Sequence, residues 1–194
     1  MPTPQGDATV TLDVPAGTPR ALFLLGHGAG GSIESPDLVA VTRAGVAMGL
    51  AVARVTQPYR VAGKKSTPRP PVLDEAWLAV AAAIRVDGLP LVAGGRSSGA
   101  RVACRTATEL GAAAVVALAF PTAPPRTPEK DRLAELAAPV VPVLVVQGGQ
   151  DPFGVPPEAP GRTVVTIAAT HTIRGAAASA AATAVTDWLA TVLG

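Results

Sequence analysis

Short apolar runs alternate along this chain with longer, alanine-rich segments that have helical periodicity. Most of the short runs are continuously apolar, which is typical of strands covered on both faces. The predicted strands are Ala8–Val14, Ala21–Leu25, Ala51–Val55, Leu89–Ala93, Ala114–Ala119, Val143–Gln147 and Thr163–Ala168. The predicted helices are Pro36–Met48, Val72–Val86, Ser98–Leu110, Glu129–Ala138 and Ala176–Leu193. This alternation predicts an α/β fold, with a mainly parallel sheet of about seven strands and helices on both faces.

The first run differs from the others because polar and apolar residues alternate between positions 9 and 14. One solvated face indicates an edge strand, which we expect to be antiparallel to its neighbour. The 194 residues contain no internal repeat and no interdomain linker, so we predict one domain over 1–194. Proline-rich loops are predicted at Thr67–Pro71, Pro121–Pro128 and Pro152–Pro160, and none is long enough for a separate lid domain.

Composition narrows the class of protein. The chain is 48% apolar and 15% charged, which excludes a disordered protein. The net charge is only +2 and no basic cluster is present, so we expect no nucleic-acid partner. The single cysteine, Cys104, excludes a disulfide framework and a cysteine-rich metal site, and we expect no metal.

The two ends of the chain carry no targeting or membrane signal in the sequence. No basic segment followed by an apolar core opens the chain, so we expect no signal peptide. The alanine-rich tail Gly175–Leu193 contains Ser, Thr and Asp, which favours a helix packed on the sheet over a membrane span. We therefore expect a cytoplasmic protein without membrane contact. The sequence does not indicate the oligomeric state.

The motif Gly95-Arg96-Ser97-Ser98-Gly99 directly follows an apolar strand and precedes a helical segment. A G-x-S-x-G sequence in this position is typical of a nucleophile elbow, in which a strained strand-to-helix turn exposes the serine hydroxyl. The flanking glycines fit a turn too tight for a Cβ atom. The alternative is an ordinary glycine- and serine-rich loop between a strand and a helix.

Two further residues complete a candidate triad with Ser97. Asp151 follows the next-to-last predicted strand, and His171 follows the last one. The order Ser, acid, His is that of elbow-bearing hydrolases, and His171 is the only histidine after Ser97. The alternatives are that Asp151 initiates a turn before Pro152, that His171 lies free in a loop, and that Ser98 is the nucleophile.

Two backbone N–H groups are candidates for an oxyanion hole. Ser98 begins the helix after the nucleophile, and Ala29, or alternatively Gly28, lies in the glycine-rich loop Gly26–Gly31. That loop also matches the dinucleotide pattern G-x-G-x-x-G. However, the next predicted helix begins well past the glycines, and the following strand ends without an acidic residue for a ribose. Only Arg54 hints at NADP, and we expect no cofactor.

Further candidates for substrate contact are Gly28, Arg96 and Phe153. Arg96 and Arg101 flank the elbow and could bind an acidic substrate group through the forked guanidinium. The interpretation that we favour for both is a structural tie to a nearby carboxylate or carbonyl.

Three motifs resemble those of the α/β-hydrolase superfamily, in particular small, lid-less, dienelactone-hydrolase-like members. They are His-Gly-Ala-Gly-Gly at 27–31, Gly-Gly-Arg-Ser-Ser-Gly-Ala-Arg at 94–101 and Gln-Gly-Gly-Gln-Asp-Pro-Phe-Gly at 147–154. The resemblance implies an α/β-hydrolase fold, with eight strands or a version that lacks the first. It also implies a serine hydrolase that cleaves small carboxylic esters, or thioesters or lactones, through an acyl-enzyme intermediate.

The sequence also departs from the family pattern. Many such hydrolases have Asp just before the histidine, where this chain has Thr170, and Phe120–Ala123 replaces a Tyr-Pro-Leu-His-like run. The same branch includes a relative in a chromatin-complex subunit, where an interaction role is expected. The alternative function is therefore a hydrolase-fold interaction module with a weak or vestigial active site.

Overall fold

A seven-stranded sheet organises the chain in the computed structural model, which describes residues 1–194. The strands are β1 (Pro2–Thr3), β2 (Gly6–Asp7), β3 (Thr9–Asp13), β4 (Leu22–Gly26), β5 (Ala51–Thr56), β6 (Leu91–Arg96), β7 (Ala114–Leu118), β8 (Val143–Gly148) and β9 (Arg162–Ile167). The helices are α1 (Pro36–Ala47), α2 (Pro58–Val61), α3 (Pro70–Ile84), α4 (Ser98–Leu110), α5 (Leu133–Ala137) and α6 (Ala176–Val192). The predicted α/β fold is confirmed.

The strand order β3-β5-β4-β6-β7-β8-β9 determines where loops meet. All neighbours are parallel except β3, which pairs antiparallel with β5 at one edge, as its alternating pattern predicted. The order reverses at β4, which pairs with β5 on one side and β6 on the other. In open α/β sheets a crevice forms outside the carboxyl ends of the strands at such a switch point. The loops after β4 and β6 therefore lie side by side.

Two apolar layers cover the two faces of the sheet. Helices α3 and α4 pack on one face, around Trp77, and α1 and α6 pack on the other, around Leu38 and Leu189. Successive residues of β4 point to opposite layers: Leu24 belongs to the first, and Phe23 and Leu25 to the second. Burial on both faces explains why the central strands are continuously apolar.

Three features differ from the sequence-based expectations. The short antiparallel pair β1–β2 was not predicted, because two residues per strand carry no period. Helix α2 was missed for the same reason, although Pro58 at its first position fits a helix start. Helix α5 begins at Leu133 rather than Glu129, because Asp131 accepts a hydrogen bond from the Leu133 N–H and forms a turn before the helix.

None of the helices has both the length and the hydropathy needed to cross a bilayer. No group of three or more His, Cys, Asp or Glu side chains is arranged to hold a metal ion.

Trp77 is the largest fully buried side chain, and we expect its truncation to destabilise the fold strongly. Its ring lies against the end of β4, where a Cβ placed on Gly26 would be 3.2 Å from Trp77 Cζ3. Trp77→Ala leaves a cavity and should lower the free energy of unfolding by about 3–5 kcal/mol in urea denaturation. Trp188→Ala, at a partly buried position in α6, is the matched control and should lower it by less. Equal losses for the two variants would contradict this description of the core.

Candidate active site

Ser97 occupies a strained turn between β6 and α4. Its backbone has φ 52° and ψ −110°, in the left-handed half of conformational space that residues with a Cβ rarely adopt. The Ser97 N–H donates to the Leu118 carbonyl of β7 at 2.9 Å, which fixes the turn to the sheet. Backbone strain of this kind costs about 1–3 kcal/mol and is concentrated at functional sites. The expected nucleophile-elbow conformation is therefore present at Ser97.

The two glycines that flank the elbow allow a close approach between β4, β6 and α4. A Cβ on Gly95 would lie 2.6 Å from the Gly26 carbonyl oxygen. A Cβ on Gly99 would overlap the same carbonyl group. Any larger residue at either position would push α4 away from the strand ends and move the serine.

The structure brings Ser97, His171 and Asp151 together in one hydrogen-bonded chain. His171 Nε2 lies 3.0 Å from Ser97 Oγ, and His171 Nδ1 lies 2.8 Å from Asp151 Oδ2. Because Asp151 accepts the proton on Nδ1, Nε2 is left free to accept the serine proton. Both Ser97 and His171 are partly exposed, whereas the Asp151 carboxylate is fully buried. A substrate can therefore reach the hydroxyl and the imidazole but not the carboxylate.

Asp151 is held by two more hydrogen bonds in addition to the one from His171. Gln147 Nε2 donates to Oδ2 at 2.8 Å, and the Phe153 N–H donates to Oδ1 at 2.9 Å. Gln147 Nε2 is also within hydrogen-bond distance of the Phe120 and Gly154 carbonyl oxygens. The buried Gln147 thus orients the carboxylate and fixes the turn that carries it. Sequence reasoning did not assign Gln147 a role, although it opens the motif at 147–154.

The loop between β9 and α6 carries His171, and this histidine loop reaches the site by passing close to Gly148. A Cβ on Gly148 would overlap the Thr170 carbonyl oxygen, so only glycine lets this loop pass over the end of β8. Gln150 N–H donates to the Ala169 carbonyl at 3.0 Å, which joins the aspartate turn to the histidine loop. The turn that carries Asp151 and the loop that carries His171 therefore pack directly against each other through their backbones.

The glycine-rich loop after β4 lies beside the nucleophile. The position that a Cβ would take on Gly28 is 3.5 Å from Ser97 Cβ. Tyr59 donates its hydroxyl proton to the Ala29 carbonyl at 2.8 Å, while the Ala29 N–H has no acceptor in the protein. The Ser98 N–H lies at the first turn of α4, where N–H groups have no intrahelical partner. Neither N–H group has an acceptor within the protein, and their role as oxyanion donors stays a prediction.

His27 fixes the same loop through both nitrogens of its ring. The ring is buried, with Nδ1 2.8 Å from the Gly28 carbonyl and Nε2 3.1 Å from the Gln57 N–H. Nε2 must therefore accept and Nδ1 must donate, which defines the neutral tautomer. Burial lowers the pKa of His27 below its ordinary value of 6.5, against the opposing effect of the hydrogen bond to Gly28.

Arg96 and Phe153 both border the histidine. Arg96 Nη2 donates to the His171 carbonyl at 2.7 Å, and Arg96 Nε lies 2.9 Å from the buried Asp37 carboxylate. The Phe153 ring lies 4.5 Å from the His171 ring, tilted by 47°. Arg101, in contrast, makes a bidentate pair with Glu135 at 2.6 and 2.7 Å, which joins α4 to α5.

The arrangement does not resemble a dinucleotide site. Helix α1 begins at Pro36, so the last glycine of the 26–31 loop does not open a helix toward a phosphate. Arg54, the one hint of NADP, is paired with Asp13 at 3.2 Å and Glu34 at 2.9 Å. The residues around Ser97 are instead suited to activating a serine hydroxyl and stabilising an oxyanion.

The protonation of His27 gives a testable pH dependence of stability. Because its pKa is lower in the folded state, the unfolded chain binds more protons below pH 6.5. The contribution to the free energy of unfolding is complete above pH 6.5 and is lost as the pH falls toward the folded-state pKa, with a slope of up to ~1.4 kcal/mol per pH unit. Urea unfolding from about pH 8 to about pH 5 measures it.

His27→Gln is the variant that isolates this effect, because glutamine takes up no proton. We expect a less stable protein at neutral pH whose stability declines less steeply on acidification than that of the parent. His171→Gln serves as the control for loss of the other histidine. Identical slopes for the parent and His27→Gln would contradict a buried, neutral His27.

Comparison with known proteins places this geometry in a family. The model of a family described as an alpha/beta hydrolase domain matches residues 19–184. No functionally curated protein is similar enough in sequence to match the chain.

Several solved structures share the fold at low sequence identity. Est1E from Butyrivibrio proteoclasticus, solved with ferulic acid bound, has a TM-score of 0.76 at 20% identity, covering 96% of this chain and 95% of that one. XC6422 from Xanthomonas campestris, an α/β serine hydrolase without a lid, has a TM-score of 0.75 at 20% identity, covering 96% and 92%. A dienelactone hydrolase from Anabaena variabilis has a TM-score of 0.74 at 21% identity, covering 96% and 93%.

These likenesses extend over nearly all of each structure and include a protein without a lid. The chain belongs to the α/β-hydrolase family.

Proposed function

We propose that this protein is a serine hydrolase that cleaves carboxylic esters through an acyl-enzyme intermediate. The observation that carries the proposal is the unbroken hydrogen-bond chain from Ser97 Oγ through His171 to Asp151, with separations of 3.0 and 2.8 Å. A serine hydroxyl is a weak nucleophile until a base takes its proton, and the base needs an orienting partner. The chain supplies both, on a strained turn beside free N–H groups.

The proposed reaction has two halves. In the first, Ser97 Oγ attacks the ester carbonyl while His171 Nε2 takes its proton, and the N–H groups of Ser98 and Ala29 stabilise the tetrahedral oxyanion. The intermediate collapses as His171 gives that proton to the leaving alcohol. In the second half, water attacks the acyl-enzyme with His171 as the base again, releasing the acid and restoring Ser97.

A neutral, small-molecule ester is the substrate class that we propose. Phe153 presents its aromatic ring beside the imidazole, and the Gly28 backbone lies against the nucleophile without a side chain between them. Thioesters and lactones present the same carbonyl to the same nucleophile and are further candidates. We also propose that residues 1–194 act as one domain, since both apolar layers pack on the same sheet.

Ser97→Ala is expected to abolish ester hydrolysis and labelling by a fluorophosphonate probe, because no oxygen nucleophile remains. Loss of a triad serine in enzymes of this type lowers kcat by ~10⁶-fold, leaving the catalysis that the oxyanion hole supplies.

Asp151→Asn should lower kcat by ~10⁴-fold by favouring the wrong histidine tautomer. Rates with p-nitrophenyl esters and probe labelling of the purified variants measure both effects.

Ser179→Ala, at an exposed position in α6, is the matched control and should retain both the activity and the labelling. Urea denaturation should show Ser97→Ala to be folded, since the substitution leaves the backbone packing in place. Equal labelling of Ser97→Ala and the parent would refute Ser97 as the nucleophile. A parent protein that neither labels nor hydrolyses any ester would favour the interaction-module alternative.

A further inference from the structure

We infer that Arg96, the residue before the nucleophile, is a positioning residue. It holds the catalytic histidine and the glycine-rich loop Gly26–Gly31, called here the oxyanion loop, in register with Ser97. The inference rests on the proposed function and adds a residue to its machinery. The sequence alone offered either substrate binding or a structural tie for this side chain. Its contacts join the segments that must stay in a fixed arrangement for the proposed reaction.

The first contact is with the backbone of the histidine itself. Arg96 Nη2 donates to the His171 carbonyl oxygen at 2.7 Å, across 75 residues of sequence. His171 lies in the loop between β9 and α6, and its imidazole is otherwise held by Asp151. The Asp151 contact sets the tautomer and direction of the ring, whereas the Arg96 contact fixes the position of the main chain. Both are needed to define where Nε2 lies.

The second contact is with a buried carboxylate behind the oxyanion loop. Asp37 has no exposed surface and lies in the first turn of α1, the helix that follows that loop. Arg96 Nε lies 2.9 Å from Asp37 Oδ2, and the Leu38 N–H donates to Oδ1 at 2.9 Å. Burial raises the pKa of Asp37, and the positive charge of Arg96 opposes this rise. The pair therefore anchors the guanidinium to α1.

The third contact is with the oxyanion loop. A Cβ on Gly28 would lie 3.0 Å from Arg96 Nη1, so the guanidinium packs directly against this glycine. One planar group thus touches the histidine loop, the oxyanion loop and α1, while its own backbone leads into the nucleophile. Lysine has a single ammonium group and cannot reproduce the fork.

The experiment must separate positioning from simple stability. Arg96→Gln alone leaves Asp37 buried without its counter-charge, which would destabilise the fold. The double variant Arg96→Gln/Asp37→Asn removes both charges and should recover much of that stability. We nevertheless expect its kcat for a p-nitrophenyl ester to fall by about 10²-fold with little change in KM, because the imidazole is misplaced.

Two further variants sharpen the test. Arg105→Gln is the matched control, since Arg105 also bridges two elements, pairing with Asp74 of α3 and Glu135 of α5, but lies away from the triad. It should lose stability and keep the kcat of the parent. Arg96→Lys keeps a positive charge next to Asp37. We expect it to retain more of the parent's stability than of the parent's kcat.

An activity-independent readout completes the design. The downfield NMR signal of the His171 Nδ1 proton, which requires the ordered hydrogen bond to Asp151, should be present in the parent and in Arg105→Gln but lost or broadened in the double variant. An unchanged signal and kcat in the double variant would overturn the inference, and so would an effect on KM alone. If Ser97→Ala hydrolyses esters as fast as the parent, the proposed function fails instead, and the NMR signal still decides whether Arg96 positions His171.

Discussion

The hydrogen bond between Ser97 and His171 joins two residues that are 74 positions apart in the chain, and its 3.0 Å length leaves little freedom for the segments around it. A hydroxyl and an imidazole displaced by even 1 Å lose much of their capacity for proton transfer. The fold must therefore deliver two loops and a strained turn to the same point. Much of what is unusual in the local structure follows from that requirement.

The sheet meets the requirement through the geometry of parallel strands. The elbow follows β6, the aspartate turn follows β8 and the histidine loop follows β9, so all three emerge at the same edge. Close approaches then complete the alignment: at glycines 95, 99 and 148 a Cβ would collide with a carbonyl group of a neighbouring segment. The strain at Ser97 is tolerated because the hydrogen bond that its N–H donates to Leu118 of β7, together with the packing of α4, fixes the turn.

The elements with strong periodicity and the order of the polar residues could be predicted from the sequence. The antiparallel edge strand, the central parallel strands and the start of α4 at Ser98 followed from local patterns and are present in the structure. The support of the triad could not be predicted in this way. Gln147 is only four residues from Asp151, but the sequence does not indicate that its side chain turns back to the carboxylate. The pairing of Arg96 with Asp37 joins distant parts of the chain and depends on tertiary distances alone.

Formation of a covalent acyl group on Ser97 is the central claim, and peptide mapping by mass spectrometry tests it most directly. An aryl carbamate is a suitable reagent, because the carbamoyl-enzyme that it forms is hydrolysed slowly enough to be isolated. The account predicts that a brief reaction places one carbamoyl group on the peptide that contains Ser97, and that His171→Ala abolishes this modification. A modification at another residue, or equal modification of the His171→Ala variant, would contradict it.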